Sequence, residues 1–263
     1  LRKVLTVARF SVRELVRSRW IAAYALFFAA AEWAAFAVGA EPAQAVVSVL
    51  ELTLFVAPLV SIVVGLLSFY STREFAEILL SQPIARRTAF AGQYLGLSLS
   101  LAACLVLGLG VPFLWYSPSG GAARGIFAML LLAGVMLTFV FVALAFAVAV
   151  LTENRVKALG VALVGWLFFA VIYDGLMLML IIAFPAVRLD RVLLGLALLN
   201  PLDAARLLIL LQLDVAALMG YTGAVFQEFF GSVEGIAVAL GALGLWIAAP
   251  LWLGLRAYAH RDF

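Results

Sequence analysis

Runs of apolar residues long enough to cross a lipid bilayer recur along this chain, and they leave few alternatives to a membrane protein. About 20 consecutive apolar residues, wound as a helix, span the roughly 30 Å hydrocarbon core. Runs of that kind fall at about 20–40, 44–70, 93–116, 125–151, 158–184 and 236–257. Lipid offers no partner to a peptide N–H or C=O, so each run has to close its own hydrogen bonds as a helix. Of the 263 residues, 67% are apolar and 12% charged, against about 45–50% and about 25% in soluble domains. Six spans consume about 120 residues, and no sizeable soluble catalytic domain fits in the remainder. The expected fold class is therefore an all-α integral membrane protein, one domain over residues 1–263 with six transmembrane helices and no internal repeat.

The charges set the orientation. With the N-terminus inside, the inner segments hold Arg2, Lys3, Arg9, Arg13, Arg17, Arg19, Arg73, Arg86, Arg87, Arg155, Lys157, Arg256 and Arg261, thirteen cations; the outer ones hold four, Arg124, Arg188, Arg191 and Arg206. This asymmetry predicts both termini in the cytoplasm. The cations lie between apolar runs rather than along a stripe, which argues against a nucleic-acid surface. Residues 1–19, LRKVLTVARFSVRELVRSR, place apolar residues at helical spacing opposite charged ones. That pattern predicts an interfacial amphipathic elbow helix leading into the first span. Val38 and Ala40 resemble a signal-peptide cleavage site, but the preceding run is too long for one and carries Glu32. The second span, at 27 residues, would be about 40 Å long; it should tilt or continue beyond the lipid.

Residues 185–235 are expected to form short amphipathic helices on the outer side. Asn200 reads as an N-cap, Pro201 as the first helical residue and Asp203 as the carboxylate at the third position. A helix over 201–214 would be about 21 Å long, too short to cross, and should lie on or dip into the outer leaflet. Gly220, Gly223 and Gly231 would punctuate the rest, leaving AVFQEFF as a separate amphipathic piece. On the cytoplasmic side, STREFAEILLSQP (71–83) predicts a short helix carrying Arg73, Glu74 and Glu77 and ended by Pro83, with Arg86 and Arg87 as anchors. By spacing alone this is an amphipathic hairpin of a kind many membrane proteins have.

Glu32, Glu51 and Asp174 are acids inside spans, and all three fall in the outer half. Acids at that depth face a cavity, a dimer seam or a partner helix, or else serve packing in protonated or hydrogen-bonded form. No span supplies a Lys or Arg at matching depth. Enzyme classes are poorly served. One cysteine, Cys104, and one histidine, His260, exclude a disulfide framework or a Cys/His metal cage within one chain. No H-E-x-x-H, aspartyl pair or G-x-x-x-x-G-K-[ST] occurs. No catalytic or metal-binding residue is assigned; Met177 and Met179, about 200° apart on a helix, read as core filling.

The run LLSQPIARR followed by GQYLG resembles the signature between spans two and three of ABC-2 type transporter permeases, with Gln93 where the family usually has Lys. RELVRSRW resembles their elbow and AYAHRDF their basic ending. The outer stretch LLNPLDAARLLILLQLDVAALMGYTGAVFQEFFGS resembles the copper-related, nitrous oxide reductase maturation branch of that family. The resemblance implies the ABC-2 type permease fold in a bacterial inner membrane, and a homodimer driven by a separate ATPase subunit that holds the ATP and magnesium. No cofactor would reside in this chain. The elbow (Arg13, Glu14, Arg17) and the coupling segment 71–91 (Arg73, Glu74, Glu77, Pro83, Arg86, Arg87) would meet the ATPase. A periplasmic copper-handling partner would meet Asn200, Asp203, Arg206, Tyr221 and Glu228. The competing expectations are a conventional ABC-2 exporter of lipid, glycan, peptide or drug, and an ion-coupled secondary transporter using Asp174.

Overall fold

The computed structural model describes residues 19–37, 42–80, 86–116, 121–183, 190–210 and 220–260, and among these every regular element is a helix. In chain order they are α1 (Arg19–Ala37), α2 (Pro42–Leu80), α3 (Arg86–Tyr116), α4 (Gly121–Leu151), α5 (Arg155–Leu167), a π-helical turn (Phe168–Ile172), α6 (Tyr173–Ala183), α7 (Asp190–Leu199), α8 (Pro201–Leu210) and α9 (Gly220–His260). Among the described residues, five stretches are long and apolar enough to cross a bilayer: Ala45–Ser71, Arg87–Tyr116, Arg124–Leu151, Arg155–Ala183 and Glu234–Tyr258. The apolar part of α1, Ile21–Ala37, is shorter, about 25 Å. Residues 1–18 of the expected elbow (1–19) lie outside the described residues, and Arg19 opens α1.

Two expected breaks are absent. Residues 73–80 do not form a helix of their own; they continue α2, whose 39 residues make one rod of about 58 Å. The helix of the second span thus continues past its apolar stretch, Ala45–Ser71. Nor do Gly223 and Gly231 interrupt α9, which runs 41 residues through both. A glycine inside a helix costs only about 1 kcal/mol relative to alanine, less than breaking a run of backbone hydrogen bonds. Pro58, Pro112 and Pro250 are likewise carried inside α2, α3 and α9, as helices in lipid tolerate.

The core lies among α2, α3 and α4, with α1 against α3 and α9 against α4. Close approach rests on small residues. A Cβ at Gly65 of α2 would stand 2.7 Å from the Cβ of Ala145 on α4, and one at Gly108 of α3 would stand 2.7 Å from the Ala25 carbonyl oxygen on α1. At the Leu151 end, Phe69, Phe90, Phe146 and Tyr258 join α2, α3, α4 and α9 in one aromatic cluster, with ring centroids 5.3–6.3 Å apart. There the Tyr70 hydroxyl donates to the Thr152 carbonyl at 2.7 Å and the Gln93 amide to the Ser68 carbonyl at 3.2 Å. Asn154 then starts α5, its side chain accepting from the amides of Val156 and Lys157. At the opposite, Tyr116 end, Phe36 packs on Phe113 and Tyr116, and Phe113 stacks on Phe127 at 3.8 Å.

The Arg155–Ala183 span stands apart: 6% of its apolar window is buried, against 50–61% for the spans in α2, α3 and α4. Side chains hold it to the bundle at few points, and polar contacts matter there more than elsewhere. Gly65→Val tests the packing rule. Forcing α2 from α4 is expected to lower stability by about 1–3 kcal/mol, read as an earlier thermal transition in detergent, while Gly160→Val, where nothing lies within 4 Å of the added Cβ, leaves the transition unmoved.

Candidate functional site

Asn200 separates α7 from α8 by one residue and turns the chain back on itself. Its Oδ1 accepts from the Leu202 amide at 3.0 Å, and its own carbonyl accepts from Ala204 at 3.0 Å, so α8 begins at Pro201 with Asp203 at the third position, as the sequence predicts. The Asn200 amide donates both to Asp203 Oδ2 at 2.9 Å and to the Phe169 carbonyl at 3.0 Å. The residue is fully buried. The Tyr173 hydroxyl adds a second tie from α6 to this hairpin, donating to the Leu196 carbonyl at 2.6 Å.

One turn along α8, the Arg206 guanidinium gathers three carboxylates. Nη2 stands 3.2 Å from Glu51 Oε2 on α2, and Nη1 stands 3.3 Å from Asp174 Oδ2 on α6 and 3.2 Å from Asp203 Oδ1. Glu51 lies six residues inside the Ala45 end of its apolar stretch and Asp174 nine inside the Ala183 end, or about 9 Å and 14 Å deep. No span supplies the cation for these acids, yet they have one. Arg206 belongs to the connection between spans, and α8 folds back to the depth of the bundle to deliver it. In the same way α8 is not a surface helix. Pro201, Leu202, Ala204, Ala205, Leu207, Leu208 and Ile209 are all buried, because the helix packs on α4 and α9 and its charges find partners on the spans.

Burial first, and then the Asp174 carboxylate, push the Asp203 carboxyl up to about 7, while Arg206 and the Asn200 amide oppose the shift. Burial also works against the charge on Arg206, and the carboxylates of Glu51, Asp174 and Asp203 outweigh it, raising its pKa further. Side-chain exposure grades outward, from 13% for Asp203 through 31% for Arg206 to 44% for Asp174 and 66% for Glu51. The cluster is therefore open on the face shared by α2 and α6. Beside it, Tyr173, Leu176, Met177, Met179, Leu180, Ala183 and Leu196 line an apolar cavity of about 410 Å³. Met177 and Met179 thus border one cavity although they point to different sides of their helix.

Glu32 does not join this cluster. It sits on α1, fully buried, and neither carboxyl oxygen has a partner among the described residues. Of the residues expected to face a periplasmic partner, Asn200 is buried, and Asp203 and Arg206 use polar atoms on each other and on the spans. Tyr221 and Glu228 lie on the part of α9 ahead of Glu234, where the helix path is described but their side chains are not. Of the expected ATPase-coupling residues, Arg73, Glu74 and Glu77 fall on the last turns of α2 and Arg86 on the first of α3, again as helix path alone. Arg87 is exposed. Arg13, Glu14, Arg17 and Pro83 lie outside the described residues. Sequence reading missed the Phe168–Ile172 π turn and the Asn200 contact to it; no pattern of residue types marks either.

The model of the ABC-2 transporter protein family matches residues 14–263. A Pseudomonas aeruginosa protein named "Probable ABC transporter permease protein NosY" is 30% identical over 277 residues, covering 99% of this chain and 97% of the relative. A protein of the same name from Stutzerimonas stutzeri is 27% identical over 273 residues, covering 97% and 93%.

Two outcomes are expected from this geometry. Arg206→Ala leaves three carboxylates together at low dielectric and should cost about 3 kcal/mol, the low end for stripping a partner from a buried pair, since the group is one third exposed. Adding Glu51→Gln and Asp174→Asn should recover most of that loss in detergent unfolding. Glu32→Leu removes a buried carboxyl without partners and should raise the thermal transition, by about 1–3 kcal/mol of relieved desolvation.

Proposed function

The chain belongs to the ABC-2 transporter family as a multi-pass permease subunit, and from that premise we propose how it is driven and what it serves. A separate ATPase subunit docks on the cytoplasmic surface formed by the elbow (Arg13, Glu14, Arg17) and segment 71–91, with Arg73, Glu74, Glu77, Pro83, Arg86 and Arg87 as its charged and turning residues. α1 completes a set of six spans, both termini are cytoplasmic, and two copies of the permease pair. The face of α2 and α6 that opens the Arg206 cluster lines the seam or cavity between the copies, because charged groups at that depth are costly against lipid.

The observation that carries this reading is the continuity of α2. One helix holds Glu77 near one end and Glu51 about 39 Å away along the axis. Glu51 meets Arg206, and Arg206 meets Asp174. A tilt imposed at the ATPase end by nucleotide-driven closure therefore reaches the far half of the membrane along a single helix, by way of Pro58, and passes from there to α8 and α6. The outward product of that motion is conformational work on a periplasmic copper-handling partner, in delivery of copper for nitrous oxide reductase maturation. Support for that branch is the resemblance of the stretch from Leu198 to Ser232. With Asn200, Asp203 and Arg206 turned inward, Tyr221 and Glu228 on the extension of α9 are the partner-facing candidates. That extension, Gly220 to Val233, reaches about 21 Å beyond the apolar stretch.

Charge reversal tests the coupling. Glu77→Arg or Arg86→Glu is expected to weaken ATPase association, measured by co-purification with the cognate ATPase, by about tenfold or more, a loss of ~1.4 kcal/mol or greater, with membrane levels of the permease unchanged. Undiminished association and ATP-driven activity would remove the docking surface from this segment.

A further inference from the structure

The Phe169 carbonyl has two claimants. In a continuous α-helix the Tyr173 amide would donate to it, four residues back. Here the Tyr173 amide donates instead to Phe168, five residues back, closing the wide π turn of Phe168–Ile172. The carbonyl so released is met by the Asn200 side chain from the α7–α8 hairpin at 3.0 Å. A carbonyl left without a partner away from water is costly, so the hairpin supplies what the π turn needs in order to persist. The Asn200 amide thus favours the π turn by giving a partner to the carbonyl that the turn frees, a partner that the α-helical arrangement does not need because the Tyr173 amide would supply one.

We propose that Asn200 sets the register of the Arg155–Ala183 span, holding the π turn open while the α7–α8 hairpin is seated and letting it wind to α-helix when the hairpin leaves. Winding absorbs one residue's worth of turn, so α6 rotates by about 100° relative to α5. That rotation swings Asp174 off Arg206, which couples the register of the span to the seating of α8. Within one copy little of the span is buried, and its ties to the hairpin are the Asn200, Tyr173 and Asp174 contacts. The inference draws on the permease reading only for the source of the force that unseats the hairpin.

The test needs neither nucleotide nor partner, so its failure leaves the permease reading intact. Asn200→Ser keeps an oxygen to cap α8 but no amide that reaches Phe169. Single cysteines at 176, 177, 179 and 180, in full-length chain carrying Cys104→Ser, are spin-labelled in membrane vesicles and probed by collision with dissolved oxygen. With Asn200 present, Met177 and Leu180 are half-buried and Leu176 and Met179 exposed. In Asn200→Ser the protected face is expected to move back by one residue, to 176 and 179. Deleting Val171 as well takes the surplus residue out of the turn and should return protection to 177 and 180. An unmoved face, a loss of all periodicity, or no return on deletion would each overturn the proposal.

Discussion

No water reaches the middle of a bilayer, so every polar group this chain places there has to be met from within the chain or by a partner. Arg206 is where that constraint is concentrated. It is carried on a helix too short to cross, it sits beside acids from two spans, and it links α2, α6 and α8 through three ion pairs. Remove the guanidinium and the α7–α8 hairpin has no electrostatic reason to enter the bundle. Remove the hairpin, and Glu51 and Asp174 are left bare at membrane depth. The apolar core of α2, α3 and α4 gives the protein its mass of contacts; the charged cluster decides how the loosely held Arg155–Ala183 span sits against that core.

The division of labour explains what could be read from residues alone. Hydropathy marks spans because about 20 apolar residues have one stable arrangement in lipid, and the stretches within α2 to α6 and α9 fall close to where the runs predict. The α8 start at Asn200 and Pro201 was equally legible, since capping is a local matter of side-chain oxygens and backbone amides. Partnership across 155 residues between Arg206 and Glu51 is not local, and counting Arg206 with the loops hid it. The same limit applies to the Phe169 carbonyl: FFAVI has no composition that distinguishes a π turn from an α turn, and the residue that stabilises it lies 31 positions away. Glycine misled in α9 because its turn-forming preference is a small energy set against continuous hydrogen bonding.

Membership of the ABC-2 family and the length of α2 bear on each other. One helix that spans the apolar layer and projects beyond it joins the two sides of the bundle directly, with Pro58 as the interior position where such a helix bends. Gly65 and Gly108 serve the same end. By letting α2 lie close on α4, and α3 close on α1, they make the inner bundle move as one body. The compliant parts are then confined to the flank, where the π turn and the hairpin meet.

The pairing of Glu51 with Arg206 also has an order in time. At about 5–20 residues per second, the ribosome needs roughly 8–30 s to travel the 155 positions between them. For that interval the second span is already made while its cation is not. Until the C-terminal third of the polypeptide emerges, the chain does not yet contain the cation that Glu51 pairs with. The three ion pairs therefore close only after the last connecting segment is made, and a chain truncated before residue 206 would lack the cation common to them all.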